Sequence, residues 1–253
     1  MLALTHVPSP NLDQCQRTYV GRVPIDYGRA VRQHEAYCRL LRECGAEVRT
    51  LEVNRHLPDS VFIEDTAVVL DEVAVLASMG AATRRDEPAG VEPELRLLRE
   101  VVRVGPPATL EGGDVLRVGR QIFVGLSGRT NAAGVEALRA VAGRFGYAVT
   151  AVPVRGCLHL KSALGAFPDG RLLVNSGWLD VRGLRGLEVV PVPDGEPDGA
   201  NVAVVGSRVC LPAAHPQTAE LVGRLGFEAR TADLSEFAKA EGCFTCLSLL
   251  LND

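Results

Sequence analysis

The sequence predicts a single α/β domain, residues 1–253, in which five repeated ββαβ units close into a ring around a central channel. Three observations predict it. Residues 113–154 (GDVLRVGRQIFVGLSGRTNAAGVEALRAVAGRFGYAVTAVPV) and 200–234 (ANVAVVGSRVCLPAAHPQTAELVGRLGFEARTADL) follow one plan: polar opening, strand, tight turn, strand, amphipathic helix, strand. The same opening recurs in EDTAVVLDEVAVLASMG (64–80) and LKSALGAFPDGRLLVNSG (160–177). Finally, the two chain ends supply the pieces of one further unit, so the array closes on itself instead of stacking openly.

The first unit needs CFTCLSLLL (243–251) paired beside LALTHVPS (2–9), then the helix PIDYGRAVRQHEAYCRLLREC (24–44) and the strand EVRTLEV (47–53). In the second, the hairpin of 64–80 is followed by EPELRLLREVVRV (92–104), which reads as helix. The third turns at Gly119-Arg120, where glycine supplies the positive φ of a tight hairpin, and its helix NAAGVEALRAVAGRFG stops at glycine. The fourth turns at Pro168-Asp169-Gly170. The fifth turns at Gly206-Ser207 and carries the helix HPQTAELVGRLG. In such a ring the strand openings face one another across the centre. They are Glu64-Asp65, Glu111 to Asp114, His159 to Lys161, Asn201 and Thr245-Cys246, so acids, a histidine and a cysteine converge.

Composition excludes several functions. A net charge of −4 leaves no footprint for nucleic acid or an anionic membrane. No apolar run reaches the roughly 20 residues that span a bilayer, and the N-terminus lacks the basic and apolar regions of a signal peptide. Seven cysteines, an odd and scattered set, argue against a secreted disulfide framework, so a cytoplasmic protein with reduced thiols is expected. Only Lys161 and Lys239 are lysines, and this arginine bias makes any single arginine weak testimony of function.

Among the converging residues the cysteine decides the chemistry. Cys15, Cys38, Cys44, Cys157 and Cys210 read as small buried hydrophobes. Cys243 and Cys246 form a C-x-x-C, yet no second ligand pair accompanies it, and on a strand residues three apart face opposite sides. A redox pair belongs at a helix N-terminus, whereas LSLLLND follows here. Neither a metal site nor a redox dithiol is therefore expected of this pair. A cysteine nucleophile needs an acid or base in reach, and His159 in CLHLKSALG and Glu111 in LEGGD supply both. Asp59, Glu64 and Asp65 in LPDSVFIEDTAVVL surround an apolar strand, and buried acids of this kind call for a cation.

The stretches LPDSVFIEDTAVV, GAATRR, LEGGDVL, VGLSGRTNAAG, LHLKSALG, GANVAVV and EFAKAEGCFTCLSLL run in order from about residue 5 to residue 251. Together they resemble the dimethylarginine dimethylaminohydrolase family of the pentein, or guanidino-group-modifying, superfamily. The resemblance implies a pentein-type α/β propeller of five ββαβ units. It also implies hydrolysis of Nω-methylated L-arginine to L-citrulline and a methylamine, with no cofactor, in a monomer or homodimer. Arginine deiminase-like hydrolysis of another guanidine is the alternative. By the same resemblance Cys246 is the nucleophile, His159 the proton donor and later the base, and Glu111 the residue that holds the histidine. Glu64 and Asp65 grip the guanidinium, Asp59 and the Ala240 carbonyl take the α-amino group, and Arg84 and Arg129 bind the α-carboxylate. The lid of relatives falls near QCQRTYVGRV (14–23), where no motif matches, and Cys243 carries no family role.

Overall fold

The computed structural model describes residues 1–252 other than Arg185; Asp253, the last residue of the predicted closing tail, lies outside this set. In chain order the first elements are β1 (Leu2–His6), α1 (Tyr27–Glu43) and β2 (Glu47–Leu51). They are followed by β3 (Ala67–Val69), β4 (Val73–Leu76), α2 (Glu87–Arg96) and β5 (Glu100–Arg103), then by β6 (Val115–Val118), β7 (Gln121–Leu126), α3 (Ala132–Gly143) and β8 (Ala148–Pro153). The short α4 (Leu160–Ala163) opens β9 (Leu164–Ala166), β10 (Leu172–Val174) and β11 (Val189–Pro191). Last come β12 (Ala203–Val205), β13 (Arg208–Pro212), α5 (Pro216–Arg224), β14 (Glu228–Ala232), α6 (Ser235–Ala238) and β15 (Ser248–Leu251).

These strands form five three-stranded sheets among the described residues, with orders β15-β1-β2, β3-β4-β5, β6-β7-β8, β9-β10-β11 and β12-β13-β14. Every sheet repeats one pattern: an antiparallel inner pair, then a third strand parallel to the middle one. A parallel partner requires a crossover, and α1, α2, α3 and α5 provide it in four of the units. Side chains start two of these helices: Asp26 accepts from the Arg29 N–H at 2.9 Å, and Asn131 from the Gly134 N–H at 2.8 Å. The hairpin glycines Gly119, Gly170 and Gly206 have φ of 58°, 88° and 62°, as their turns require.

The predicted closure across the chain ends is present: Leu2 pairs with Leu251 and Thr5 with Ser248 in the antiparallel β1–β15 ladder. The innermost strands of all five sheets line one cavity of about 240 Å³. Above it, side chains at the unit openings form a continuous hydrogen-bonded circuit. Asp65 accepts from the Gly113 N–H, and Asp114 from the Leu160 N–H. Asn201 donates to the Lys161 carbonyl and exchanges bonds with Thr245, whose hydroxyl donates to Glu64 and returns the circuit to its start.

Three expectations are corrected. The openings are not strand ends: Ile63–Thr66, Gly112–Asp114 and Thr245–Leu247 are single 3₁₀ turns, and Leu160–Ala163 is one α turn. The helix expected over 92–104 runs instead from Glu87 to Arg96, because Pro88 suits a first helical turn and the β-branched Val101-Val102 continues as β5. The fourth unit crosses over through the 3₁₀ turn Val181–Leu184 in place of a longer helix.

Candidate active site

Cys246 sits in the 3₁₀ turn Thr245–Leu247, half-buried, with the Cys243 N–H 3.4 Å from its sulfur. The expectation that strand geometry would separate the two thiols therefore fails. Cys243 lies in irregular chain just ahead of the turn, not on a strand, and its thiol hydrogen-bonds Cys246. That bond, then burial, then the charges of Cys243, Glu64 and Asp65, hold the Cys246 thiol well above its ordinary pKa. At rest Cys246 is a neutral thiol.

His159 caps the single turn Leu160–Ala163 from an extended backbone, which aims its ring at the Gly112–Asp114 turn. Nε2 lies 2.8 Å from Glu111 Oε2, and Nδ1 lies 3.8 Å from Asp65 Oδ1. Burial disfavours the imidazolium, but Asp65, Asp114 and Glu111 outweigh it and raise the pKa to about 9. The acids respond in kind. Against the upward push of burial, His159 and Arg84 hold Asp65 at about 2, and the His159 hydrogen bond holds Glu111 below its usual range. Glu111 also accepts from the Gly80 and Ala81 N–H groups at 3.0 and 3.3 Å and from Arg129 at 3.3 Å. Ligand atoms of Asp65, Glu111 and His159 lie within 4.8 Å of one another, so the same trio that cradles an imidazolium has the spacing to hold a metal ion.

Glycine is needed where this trio meets. A Cβ on Gly113 would stand 2.6 Å from His159 Nδ1 and 2.7 Å from Asp65 Oδ1. Gly113→Ala should therefore displace the imidazole and lower kcat by about 10²-fold or more while the protein stays folded. Steady-state kinetics beside circular dichroism check this.

Cys246, His159, Asp65, Asp59, Arg84, Arg129 and Ala240 all line one small cavity of about 20 Å³. Glu111 lies one hydrogen bond behind it. Glu64 does not line it: its carboxylate accepts from Lys161 Nζ at 2.6 Å and from Thr245 at 2.8 Å, on the side of the central cavity. Lys161 sits in the helical turn Leu160–Ala163, paired with Glu64. Burial raises the pKa of both Asp59 and Glu64, which marks sites where a cation would be stabilised. Arg84, 3% exposed, is engaged by Asp65 at 2.7 Å, Glu87 at 2.8 Å and the Phe62 carbonyl at 3.0 Å.

Sequence reasoning missed Glu87, the buried partner of Arg84, whose pKa burial lifts to about 7 against the arginine's pull. It also missed Gln16, whose N–H points at both Asp59 oxygens at 3.1 and 3.2 Å. A buried arginine in a motif demands a nearby acid, and that signal could have found Glu87. Nothing local announces Gln16.

Five repeated sheets, with a thiol, an imidazole and carboxylates converging at their openings, define the pentein class of guanidino-group-modifying proteins. A family model for N,N dimethylarginine dimethylhydrolase, eukaryotic, matches residues 11–164. The chain is 46% identical to N(G),N(G)-dimethylarginine dimethylaminohydrolase of Streptomyces coelicolor, covering 99% of this chain and 97% of that one. It is 33% identical to the protein of the same name from Pseudomonas aeruginosa, over 88% and 89%. A crystal structure of the Pseudomonas aeruginosa enzyme, a cysteine-to-serine mutant complexed with citrulline, superposes with a TM-score of 0.91 at 30% identity, covering 98% and 97%. The N-terminal domain of a cyanobacterial arginine dihydrolase shares the fold, with a TM-score of 0.88 at 21% identity over 99% and 97%. The chain belongs to the dimethylarginine dimethylaminohydrolase family.

Proposed function

We propose that the protein hydrolyses Nω-methylated L-arginines, asymmetric dimethylarginine and monomethylarginine, to L-citrulline and dimethylamine or methylamine through a covalent thiouronium on Cys246. The observation that carries this reading is the meeting of Cys246 and His159 in one cavity whose charged walls also include the acids Asp59, Asp65 and Glu241 and the arginines Arg84 and Arg129. A substituted arginine has the complementary charges: a cationic head, an α-ammonium and an α-carboxylate. In the proposal Asp65 holds the guanidinium, Asp59 and the Ala240 carbonyl take the α-amino group, and Arg84 and Arg129 take the carboxylate; Glu64, drawn away by Lys161 and Thr245, supports from behind the turn. The remaining donor capacity of Arg129 suits a carboxylate's fork.

A guanidinium carbon is a poor electrophile because resonance spreads its charge. Fixed carboxylates keep the cation on the nitrogens, and the bound cation in turn favours the thiolate that the empty site disfavours. As the cation binds, the Cys246 thiol gives up its proton to solvent, and the sulfur bonds to the guanidinium carbon. His159, an imidazolium at neutral pH, gives its proton to the departing amine as the C–N bond breaks. The neutral imidazole, held by Glu111, then takes a proton from water, whose oxygen adds to the thiouronium carbon. Collapse of the adduct expels the Cys246 sulfur, which takes up the proton of the new carbonyl group; citrulline leaves, and the thiol and the imidazolium are restored. All seven cysteines are free, which supports a reduced, cytoplasmic setting, and we infer one catalytic domain acting as monomer or homodimer without cofactor.

The test is a turnover panel. Asymmetric dimethylarginine and monomethylarginine should be hydrolysed with kcat/KM at least about 10²-fold above that for unmethylated arginine, a discrimination of about 2.7 kcal/mol. Ammonia release from arginine at comparable efficiency overturns the choice of substrate.

A further inference from the structure

At the wall of this small cavity, the chain puts a charged side chain to a use that the reaction chemistry does not explain. Glu241 directly follows Ala240, and its carboxylate accepts three consecutive backbone N–H groups from a segment more than 220 positions away: Thr18 at 2.8 Å, Tyr19, and Val20 at 2.9 Å. Three successive N–H groups converging on one anion form a nest, a strong and geometrically specific anion cradle. Glu241 is also the sole non-glycine residue with positive φ among the described residues, at 61°. Glutamate holds a left-handed conformation only against a steric cost that glycine would not meet, and glycine stands at the very next position. The strained backbone is retained with a side chain that a simple turn would not need.

The segment it grips covers the site. Gln16 donates its N–H to Asp59, and Arg129 reaches the Thr18 hydroxyl at 3.3 Å. The strap of residues 16–20 thereby touches the two groups proposed to bind the substrate's amino-acid end. Beneath it the cavity of about 20 Å³ has room for no more than about one water, so an arginine enters only when the strap lifts.

We propose that Glu241 is the positioning residue that latches this strap over the amino-acid end of the substrate. The inference rests on the methylarginine reading for what is covered, but not for the latch itself. With the latch closed, Gln16 and Thr18 orient Asp59 and Arg129. These contacts serve ground state and transition state alike, so their loss is felt in KM and not in kcat.

Two variants test it. Glu241→Gly removes the carboxylate and relieves the backbone, so a merely structural turn residue predicts unchanged or raised stability and nothing else. Glu241→Gln keeps the reach and one accepting oxygen while turning an NH₂ toward one donor of the nest, and should fall between. The readout independent of turnover is trypsin cleavage after Arg17, whose side chain is 3% exposed while the strap is down. Glu241→Gly should be cut at Arg17 about tenfold faster than the parent, with Glu241→Gln intermediate. For asymmetric dimethylarginine, KM should rise about tenfold with kcat held within about twofold. Parental cleavage rates in both Gly and Gln variants overturn the latch, whatever the enzyme hydrolyses. Faster cleavage in a protein that leaves methylarginines untouched keeps the latch and overturns the substrate instead. A kcat loss at constant KM overturns the positioning role.

Discussion

Cys246→Ser should lower hydrolysis of asymmetric dimethylarginine by at least about 10³-fold, about 4 kcal/mol of transition-state stabilisation, while citrulline still binds. The size follows from the nucleophile. The Cys246 thiol is already held protonated by Cys243, by burial and by the acids around it, so the site ionises it only when a cation arrives. A serine hydroxyl ionises far less readily than a thiol, and His159 is poorly suited to help it. With a pKa near 9 the imidazole is protonated at neutral pH and acts first as an acid, not a base. Binding should survive because the charged walls, Asp59, Asp65, Arg84 and Arg129, are untouched by the substitution. Isothermal titration with citrulline beside a turnover assay separates the two effects. Residual turnover within about tenfold of the parent would remove Cys246 from the mechanism, whereas unchanged physiology with intact binding would favour a sensor of arginine-like cations.

Removing residues 248–253 should leave a chain that does not fold. Leu249 and Leu251 of β15 are 4% and 3% exposed, packed with Leu2, Leu4 and Ile63, and each is worth about 2–5 kcal/mol in a core. Ser248 is buried and shares a 2.7 Å hydrogen bond with the hydroxyl of Tyr37, which stands in the core of α1. Loss of the strand also strips the ladder from β1, whose residues are all buried. Together these terms rival the whole stability of about 5–15 kcal/mol typical of a native protein. Circular dichroism and a thermal melt check it; a cooperative transition near the parent's would show that β15 is dispensable.

Much of this arrangement was legible before any coordinates, because glycine turns and apolar periodicity are local. Gly119 and Gly206 mark equivalent hairpins, the flanking strands alternate as a half-buried surface must, and the chain ends complement each other. The convergence of Cys246, His159 and Glu111 followed from placing every opening at one centre. What escaped was set by tertiary contacts. The 3₁₀ turns at the openings depend on side chains from neighbouring units, such as Asp65 on the Gly113 N–H, and no local propensity encodes them. The same error in backbone shape made Cys243 and Cys246 look separated when the turn brings them together. Glu64 was expected to share Asp65's surroundings, yet Lys161 and Thr245 draw it to the other side of the turn. Glu241 and the strap are 223 positions apart at their first contact, beyond the reach of any motif.

The circuit of hydrogen bonds through Asp65, Asp114, Asn201, Thr245 and Glu64 makes the chemistry indivisible. Its closing bond joins residues 181 positions apart, so the long-range loop must shut before the circuit exists. No partly folded form holds a fraction of the site, since each unit contributes one link and none contributes a centre. Activity therefore serves as a readout of global folding in this protein. A substitution that retunes the chemistry at Asp65 also loosens a joint between two units. Loops between the sheets, which carry no link of the circuit, are where variation is cheap.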